Sequence, residues 1–243
     1  MSPILTVLLW SVVAALAAAA GALFLIGRDR PPAAWLGWAN AVAAGLMLGA
    51  AYAITVDGFD TGPITATIAA ALGALVVAGS HRFAGTGELD LNRVAEQSPA
   101  YGYQVLLIQG LHGTWEGVAI GAAAVLDLRF GIFMAMVFLV HNVAEAMILC
   151  AVLRGRSVPL PQAAVLAVFS NAGQVLLAVG TMAVVMAAPA VTPWAIGFAV
   201  GSLVHLVLVE LLPEAYREAG AGSIALVTSL AVGVIALLQG IAF

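Results

Sequence analysis

The chain has very few charged residues and contains no lysine. Of its 243 residues only 8% are charged, and the eight basic residues, all arginine, stand against twelve acidic ones. A water-soluble domain carries about 25% charged residues to cover its surface, so a soluble globular protein is excluded. Disordered chains are poor in apolar residues, which excludes that class too. A net charge of −4 without a basic run excludes a nucleic-acid partner, because nothing would neutralise the phosphates.

The chain also has only one cysteine and no positively charged side chain before its first apolar run. Cys150 is the single cysteine, which excludes an internal disulfide and a cysteine-rich metal site. The first apolar run has no arginine before it, since Arg28 is the first in the chain. A secretory signal peptide begins with a positively charged segment, so we interpret this run as a retained helix.

Apolar sequence is what the chain has in abundance. Hydrophobic residues make up 63% of it, and the mean hydropathy is +1.11. A helix of roughly 20 apolar residues crosses a bilayer core about 30 Å thick. Eight runs approach or exceed this length: 4–26, 33–56, 61–80, 101–126, 130–153, 160–187, 193–212 and 223–243. We therefore predict an all-α polytopic membrane protein, with residues 1–243 forming a single domain of eight transmembrane helices.

The arginines lie almost entirely in odd-numbered loops. Seven of the eight follow helices 1, 3, 5 and 7, and only Arg129 lies in an even-numbered loop. Because basic residues stay on the cytoplasmic side, this distribution predicts a multi-pass protein of the plasma (inner) membrane with both termini outside. The longest connection, residues 81–100, is then a cytoplasmic loop, and we expect a short helix over residues 89–96.

Two of the predicted helices carry the pattern His-x-x-x-Glu. Helix 4 has His112 and Glu116, and helix 5 has His141 and Glu145. A spacing of four residues places both side chains on one helix face, one turn apart. Imidazole nitrogen and carboxylate oxygen are ligands that suit zinc and neighbouring divalent metals. Each pattern is therefore a candidate half of a metal site, or alternatively one side of a His–Glu hydrogen bond that locks the two helices together.

Depth in the membrane favours the metal site. At about 1.5 Å per residue, His112 lies roughly 22 Å before Asp127 and His141 roughly 18 Å after Arg129, so the two patterns meet near the membrane middle. The same arithmetic brings Met47 on helix 2, Gln174 on helix 6 and His205 on helix 7 to this level. For Met47 ordinary packing stays an alternative, and for Gln174 an interhelical hydrogen bond does. His205 is a histidine with its hydrogen bonds satisfied or a pathway residue, and metal ligation is its less favoured alternative. Glu210, nearer the inner mouth, is an exit site or the partner of an arginine.

These patterns together resemble the ZIP family of divalent metal transporters. The resemblance covers nearly the whole chain and rests on four segments in order. They are His-Gly-Thr-Trp-Glu-Gly-Val-Ala-Ile-Gly from His112, His-Asn-Val-Ala-Glu from His141, Ala-Gly-Leu-Met-Leu at 44–48, and residues 201–214 with their Glu-Leu-Leu-Pro-Glu ending. The two His-x-x-x-Glu patterns run in opposite directions across the membrane, as inverted repeats do. We expect a 3+2+3 bundle with helices 4 and 5 at its centre.

The resemblance implies that metal moves toward the cytoplasm by alternating access. Zinc is the leading substrate, and Fe²⁺, Mn²⁺ and Cd²⁺ are further divalent ions that such a site takes. His112, Glu116, His141 and Glu145 match the family's primary site, with Met47 as a further ligand. The lipid bilayer surrounds the chain, and its association into a homodimer stays open.

The departures from the family pattern fall on a second metal site. The family's ligands there correspond to Gly113, Asn142 and Gln174, so one position has no side chain and two offer only neutral amide oxygens. We therefore expect one tightly bound ion, with Asn142 and Gln174 contributing to any second one. The family's prolines before the motif glutamates are replaced by Trp115 and Ala144, which leaves local unwinding open. The alternatives are a homologue that binds or senses metal with little transport, and an intramembrane zinc enzyme, which a missing His-Glu-x-x-His disfavours.

Overall fold

The computed structural model describes residues 1–28, 31–84 and 100–243, and over these residues the chain forms helices and no strands. We number the helices α1 to α8. They are α1, Pro3–Ala17 continued by a 3₁₀ helix over Ala18–Leu25; α2, Ala33–Gly58; α3, Pro63–Ala84; α4, Ala100–Leu126; α5, Leu128–Arg154; α6, Leu160–Ser170 and Ala172–Ala187; α7, Thr192–Leu206 with Val207–Leu211 and Leu212–Ala219; and α8, Ala221–Ala242. The predicted all-α fold is confirmed.

The helices are long and apolar enough for a multi-pass membrane protein. Within the described residues, seven spans meet the length and hydropathy needed to cross a bilayer, and they belong to α1, α2, α3, α5, α6, α7 and α8. The remaining helix, α4, has 27 residues, which at about 1.5 Å each extend roughly 40 Å and exceed the bilayer core. Outward-facing residues such as Leu176, Leu237 and Ile241 are more than half exposed, as side chains in contact with lipid are.

Glycines let four helix pairs pack at very short range. The closely packed pairs are α3 with α7, α2 with α8, α4 with α6, and α5 with α1. On α7, a β-carbon at Gly201 would lie 1.8 Å from the backbone oxygen of Ala70 on α3. On α4, a β-carbon at Gly117 would lie 2.3 Å from the backbone oxygen of Gln174 on α6. Between helices in lipid there is no hydrophobic driving force, and close backbone contacts of this kind stabilise the bundle instead.

The contacts between helices follow an internal repeat. The closely packed pairs have equivalent pairs when α1 is replaced by α6, α2 by α7, α3 by α8 and α4 by α5, and the reverse. Under this exchange the pair α3–α7 becomes α8–α2, and α4–α6 becomes α5–α1. The contact of α4 with α7 likewise becomes that of α5 with α2. Two three-helix repeats around a central pair give this pattern, which is the 3+2+3 arrangement that the sequence predicts. One group consists of α1, α4, α5 and α6, and the other of α2, α3, α7 and α8.

Helices α4 and α5 are continuous through their His-x-x-x-Glu patterns. With Trp115 and Ala144 in place of proline, every backbone amide there can bond within its helix, and neither helix unwinds. The break falls instead in α6, at Asn171, whose side-chain amide donates to the Ala167 carbonyl at 2.9 Å. A side-chain donor of this kind competes with the helical backbone ladder.

Helix α7 continues to Ala219, beyond the predicted end at residue 212. Pro213 has no amide hydrogen, so a regular helix would lose a bond at this point. The chain accommodates it with a π-helical turn over Val207–Leu211, in which the Leu212 amide donates to the Val207 carbonyl. Turns of this type are frequent at functional sites, and this one carries Glu210.

Helix α3 also runs further than predicted, to Ala84, and its last turn contains His81 and Arg82. Because the apolar run ends at Ser80, hydropathy predicts that His81 lies in the loop. A helix that leaves the membrane continues as long as its backbone bonds remain available, so polarity alone marks the end too early. The short helix expected over residues 89–96 lies outside the described residues.

The turn between α4 and α5 sets the level of both His-x-x-x-Glu patterns. Asp127 is the one residue between the two helices, and its side-chain oxygen accepts from the amides of Arg129 at 2.7 Å and Phe130 at 3.1 Å. This is an N-cap that satisfies two free amides of α5. A β-carbon at Gly131 would lie 2.4 Å from that of Ala124, so glycine allows the antiparallel helices to close up directly after the turn.

Candidate metal centre

Glu116, His141 and Glu145 form a buried cluster where α4 meets α5. His141 Nε2 lies 3.0 Å from Glu116 Oε1 and 3.2 Å from Glu145 Oε1. Their ligand atoms all lie within 4.8 Å of one another, and the three residues are buried. Glu116 Oε1 and His141 Nε2 have no hydrogen-bond partner of good geometry among the described residues. Buried polar atoms without such partners are costly, and a dication held by two carboxylates and an imidazole would satisfy them.

A backbone carbonyl orients the His141 ring. Nδ1 of His141 lies 3.2 Å from the carbonyl oxygen of Ala43 on α2. A carbonyl only accepts, so Nδ1 carries the hydrogen and Nε2 is the nitrogen that presents a lone pair to a metal. Metal-binding histidines are commonly fixed by a bond of this kind from their second nitrogen. Met47 is fully buried one turn after Ala43, which places it on the same side of α2.

His112 joins this cluster through Glu145. Its Nδ1 lies 3.3 Å from Glu145 Oε1, the same oxygen that lies 3.2 Å from His141 Nε2. The other carboxylate oxygen of Glu145 accepts from the side-chain amide of Gln109. The two histidines and two glutamates of these patterns therefore lie in one connected group, as their spacing and depth predict.

The structure contains a second cluster, which the sequence patterns do not predict. It consists of His81 on α3, His112 on α4 and Glu210 on α7, with ligand atoms again within 4.8 Å of one another. Glu210 Oε2 lies 2.9 Å from His112 Nε2, and Glu210 Oε1 lies 3.0 Å from His81 Nε2. Among the described residues Glu210 thus pairs with two histidines rather than with an arginine. His112 belongs to both clusters, because each of its nitrogens faces a different carboxylate.

Asn142 and Gln174 make a chain of amides that ends on Glu116. The side-chain nitrogen of Asn142 donates to Gln174 Oε1 at 2.8 Å and to the Ala14 carbonyl at 3.0 Å. The side-chain nitrogen of Gln174 then donates to Glu116 Oε2 at 3.4 Å. All three side chains are buried. Donors from a neutral amide thus face the oxygen of Glu116 that His141 does not contact.

Gly113 and His205, two further positions singled out in the sequence, lie outside both clusters. A β-carbon at Gly113 would lie 3.4 Å from Asn171 Oδ1, so this position faces the break in α6 rather than empty space. His205 is half-buried on α7, and neither cluster includes it. The signal for His81 and Glu210 in the sequence is weak, because His81 lies alone and Glu210 is followed four residues later by a second glutamate, Glu214, rather than by a histidine.

Comparison with known proteins points to one protein family. The sequence profile of the ZIP zinc transporters matches residues 78–243, which includes both clusters. A protein of Arabidopsis thaliana that is provisionally assigned as a zinc transporter is 27% identical to the chain over 233 residues. The alignment covers 93% of the chain and 37% of the plant protein, so the chain spans well under half the length of that relative. On the family match, which covers more than half of its residues, the chain belongs to the ZIP zinc transporter family.

Proposed function

We propose that the chain transports a divalent transition-metal ion, with zinc as the leading substrate, across the membrane and toward the cytoplasm. The observation that carries this proposal is the convergence of Glu116, His141 and Glu145, three buried ligand side chains with atoms within 4.8 Å. Ionisable groups inside a membrane protein are costly and mark ion pathways. Two carboxylates neutralise a dication, and imidazole and carboxylate together match the ligand preference of zinc. Fe²⁺, Mn²⁺ and Cd²⁺ are the competing substrates.

The two clusters offer the ion two successive binding positions, which we call the first and second stations. His112 lies between them, at 3.3 Å from Glu145 on one side and 2.9 Å from Glu210 on the other. An ion held by Glu116, His141 and Glu145 therefore moves to Glu210 and His81 without leaving the reach of an imidazole. With the arginine-rich loops in the cytoplasm, the cluster at Glu210 and at the last turn of α3 faces the cytoplasm, so the ion leaves there.

Alternating access follows from where the contacts lie relative to the two helix groups. Glu116, His141 and Glu145 all belong to the group α1, α4, α5 and α6. Among the described residues, His141 contacts the other group through the Ala43 carbonyl, and the neighbouring His112 contacts it through Glu210. A displacement of one group against the other would break these polar contacts and leave the core cluster intact. The ion would thus be presented to one side of the membrane at a time.

Transport is favoured over the two alternatives by the arrangement of the ligands. A hydrolytic zinc site needs an open coordination position with a general base beside it. Here both motif carboxylates face His141 directly, at 3.0 and 3.2 Å, and fit the role of ligands better than that of a base. A metal sensor without transport would not need the second cluster, which extends the ligand path along α4 toward α7.

Zinc uptake into proteoliposomes tests the proposal. We expect the purified chain to accumulate zinc and Glu116→Gln to lose both uptake and zinc binding, because the conservative change removes one of two charges at the ion. The matched control is Asp60→Asn, the same chemical change at an exposed turn residue, which should leave uptake unchanged. A chain that binds zinc but does not move it would be a sensor, and normal uptake by Glu116→Gln would refute the site.

A further inference from the structure

An apolar groove of about 460 Å³ opens on the membrane-facing surface between α1, α2 and α5. Its floor includes Ala39 and Met147, which are buried. Its rim includes Phe24, Trp38 and Val140, which are between 43% and 50% exposed. None of these residues belongs to the metal clusters. The groove is therefore a separate feature with room for an apolar ligand.

A positive charge stands at one end of this groove. The guanidinium carbon of Arg28 lies 4.9 Å from the ring centroid of Trp35, and Trp35 lines the groove. A guanidinium held over an indole keeps its N–H edge free for an anion, and its fork geometry matches phosphate. Arg28 follows the end of α1 at Leu25, and Trp35 lies in the first turn of α2. Tryptophan and arginine at such positions lie at the level of lipid headgroups.

A second groove of similar size allows a comparison, which shows over the described residues that the cation is a feature of the first groove and not of apolar grooves in this bundle generally. This groove, about 480 Å³, lies among α3, α4, α6 and α7 and contains Trp194 on its wall. The two grooves correspond to each other in the internal repeat, in which α6, α7 and α4 take the places of α1, α2 and α5. In the described part of the chain, the cation over an aromatic ring is the one at Trp35, and Trp194 has none. Apolar lining is thus common to both grooves, and the guanidinium over a tryptophan is found at the first.

We propose that the first groove binds one anionic phospholipid from the leaflet on the Arg28 side. The acyl chain lies between Phe24, Trp38 and Val140, and the phosphate pairs with the Arg28 guanidinium. A ligand that combines an apolar chain with one negative charge at its end complements an apolar groove with the Arg28 guanidinium at its end. Basic pockets between membrane helices select anionic headgroups for the same reason.

Lipid binding to the purified full-length chain in detergent tests this site. Phosphatidylglycerol and phosphatidylcholine with identical acyl chains are titrated, and bound lipid is counted by native mass spectrometry. We expect phosphatidylglycerol to bind about fivefold more tightly, which is the effect of one arginine near an anionic headgroup. Arg28→Gln should abolish this preference. Arg129→Gln, at an exposed arginine in the first turn of α5, is the matched control and should retain it.

Further variants separate the groove from the charge and from other occupants. Trp38→Ala should weaken the binding of both lipids, because it removes a wall of the groove. Inorganic phosphate at the same concentrations should not protect the chain against thermal unfolding, since it has no acyl chain. Equal affinity for the two lipids in the wild type, or an unchanged preference in Arg28→Gln, would overturn the proposal. A dimer that Trp38→Ala converts to a monomer in light scattering would place a second copy in the groove and overturn it too.

Discussion

The number of ions that the site holds can be tested by one substitution, Gln174→Glu. In the structure the Gln174 side chain donates to Glu116 Oε2 at 3.4 Å and accepts from Asn142 at 2.8 Å. We expect the wild-type chain to bind one zinc ion tightly, because a second ion beside Glu116 would find only the neutral amides Gln174 and Asn142. Two dications about 4 Å apart repel each other strongly in a low-dielectric site, and neutral oxygens do not offset that repulsion.

The substitution turns a favourable contact into a repulsive one unless a cation is present. Replacing the amide nitrogen by oxygen puts two carboxylates about 3.4 Å apart, a repulsion of roughly 5 kcal/mol at an effective dielectric of about 20. In the metal-free protein a shared proton relieves part of this. A second zinc ion would relieve it fully, so we expect its affinity to rise by at least about 100-fold, or roughly 2.7 kcal/mol.

Elemental analysis and calorimetry on purified protein give the readout. We expect about one zinc per chain in the wild type and about two in Gln174→Glu at micromolar free zinc. Gln162→Glu introduces the same charge at an exposed position on the same helix and should leave the count at one. Two fully occupied ions in the wild type, or a folded Gln174→Glu chain that still binds one, would refute the reasoning.

Three further predictions concern the path, protons and packing. Glu210→Gln should keep about one zinc bound per chain but slow uptake, measured in proteoliposomes, since it removes the carboxylate of the second cluster and leaves the core cluster intact. Zinc affinity measured by competition with a chelator should fall as the pH is lowered from about 8 to about 5, because protons compete for the histidine nitrogens; flat affinity over that interval would argue against histidine ligands. Gly201→Ala should lower the unfolding temperature, because its β-carbon would lie 1.8 Å from the Ala70 oxygen, whereas Gly233→Ala on the same bundle meets nothing within 4 Å and should be neutral.

Asn142 shows how the structure refines an expectation drawn from sequence. Viewed as a ligand position, Asn142→Glu looks equivalent to Gln174→Glu, because each adds one negative charge. The structure shows that the Asn142 nitrogen donates to two oxygens, of Ala14 and of Gln174. A carboxylate in its place would face two acceptors and lose both bonds, so Gln174→Glu is the better test. Sequence reveals the charge of a position, whereas the partners of a buried amide come from helices far away in the chain.

The same distinction explains which parts of the site were predictable. His112, Glu116, His141 and Glu145 are paired by local helix geometry, and the short connection between the runs 101–126 and 130–153 fixes the level of both pairs. Neither inference needs the tertiary structure. His81 and Glu210 lack such a local signal. They come together because α3 continues past its apolar run and because the π turn before Pro213 carries Glu210 toward α4. Both effects depend on backbone bonding in the folded bundle, which hydropathy does not report.

The position of His112 between two carboxylates limits how the proposed path can be occupied. A neutral imidazole has one nitrogen with a free lone pair, and the other nitrogen carries the hydrogen. His112 therefore serves as a ligand to an ion beside Glu145 or to an ion beside Glu210, but not to both at once. When its Nδ1 binds the first ion, its Nε2 hydrogen is donated to Glu210 across 2.9 Å, and the roles reverse when the ion has moved. On the proposed path, this one histidine would couple departure from the first station to arrival at the second, in agreement with the expectation of one tightly bound ion at a time.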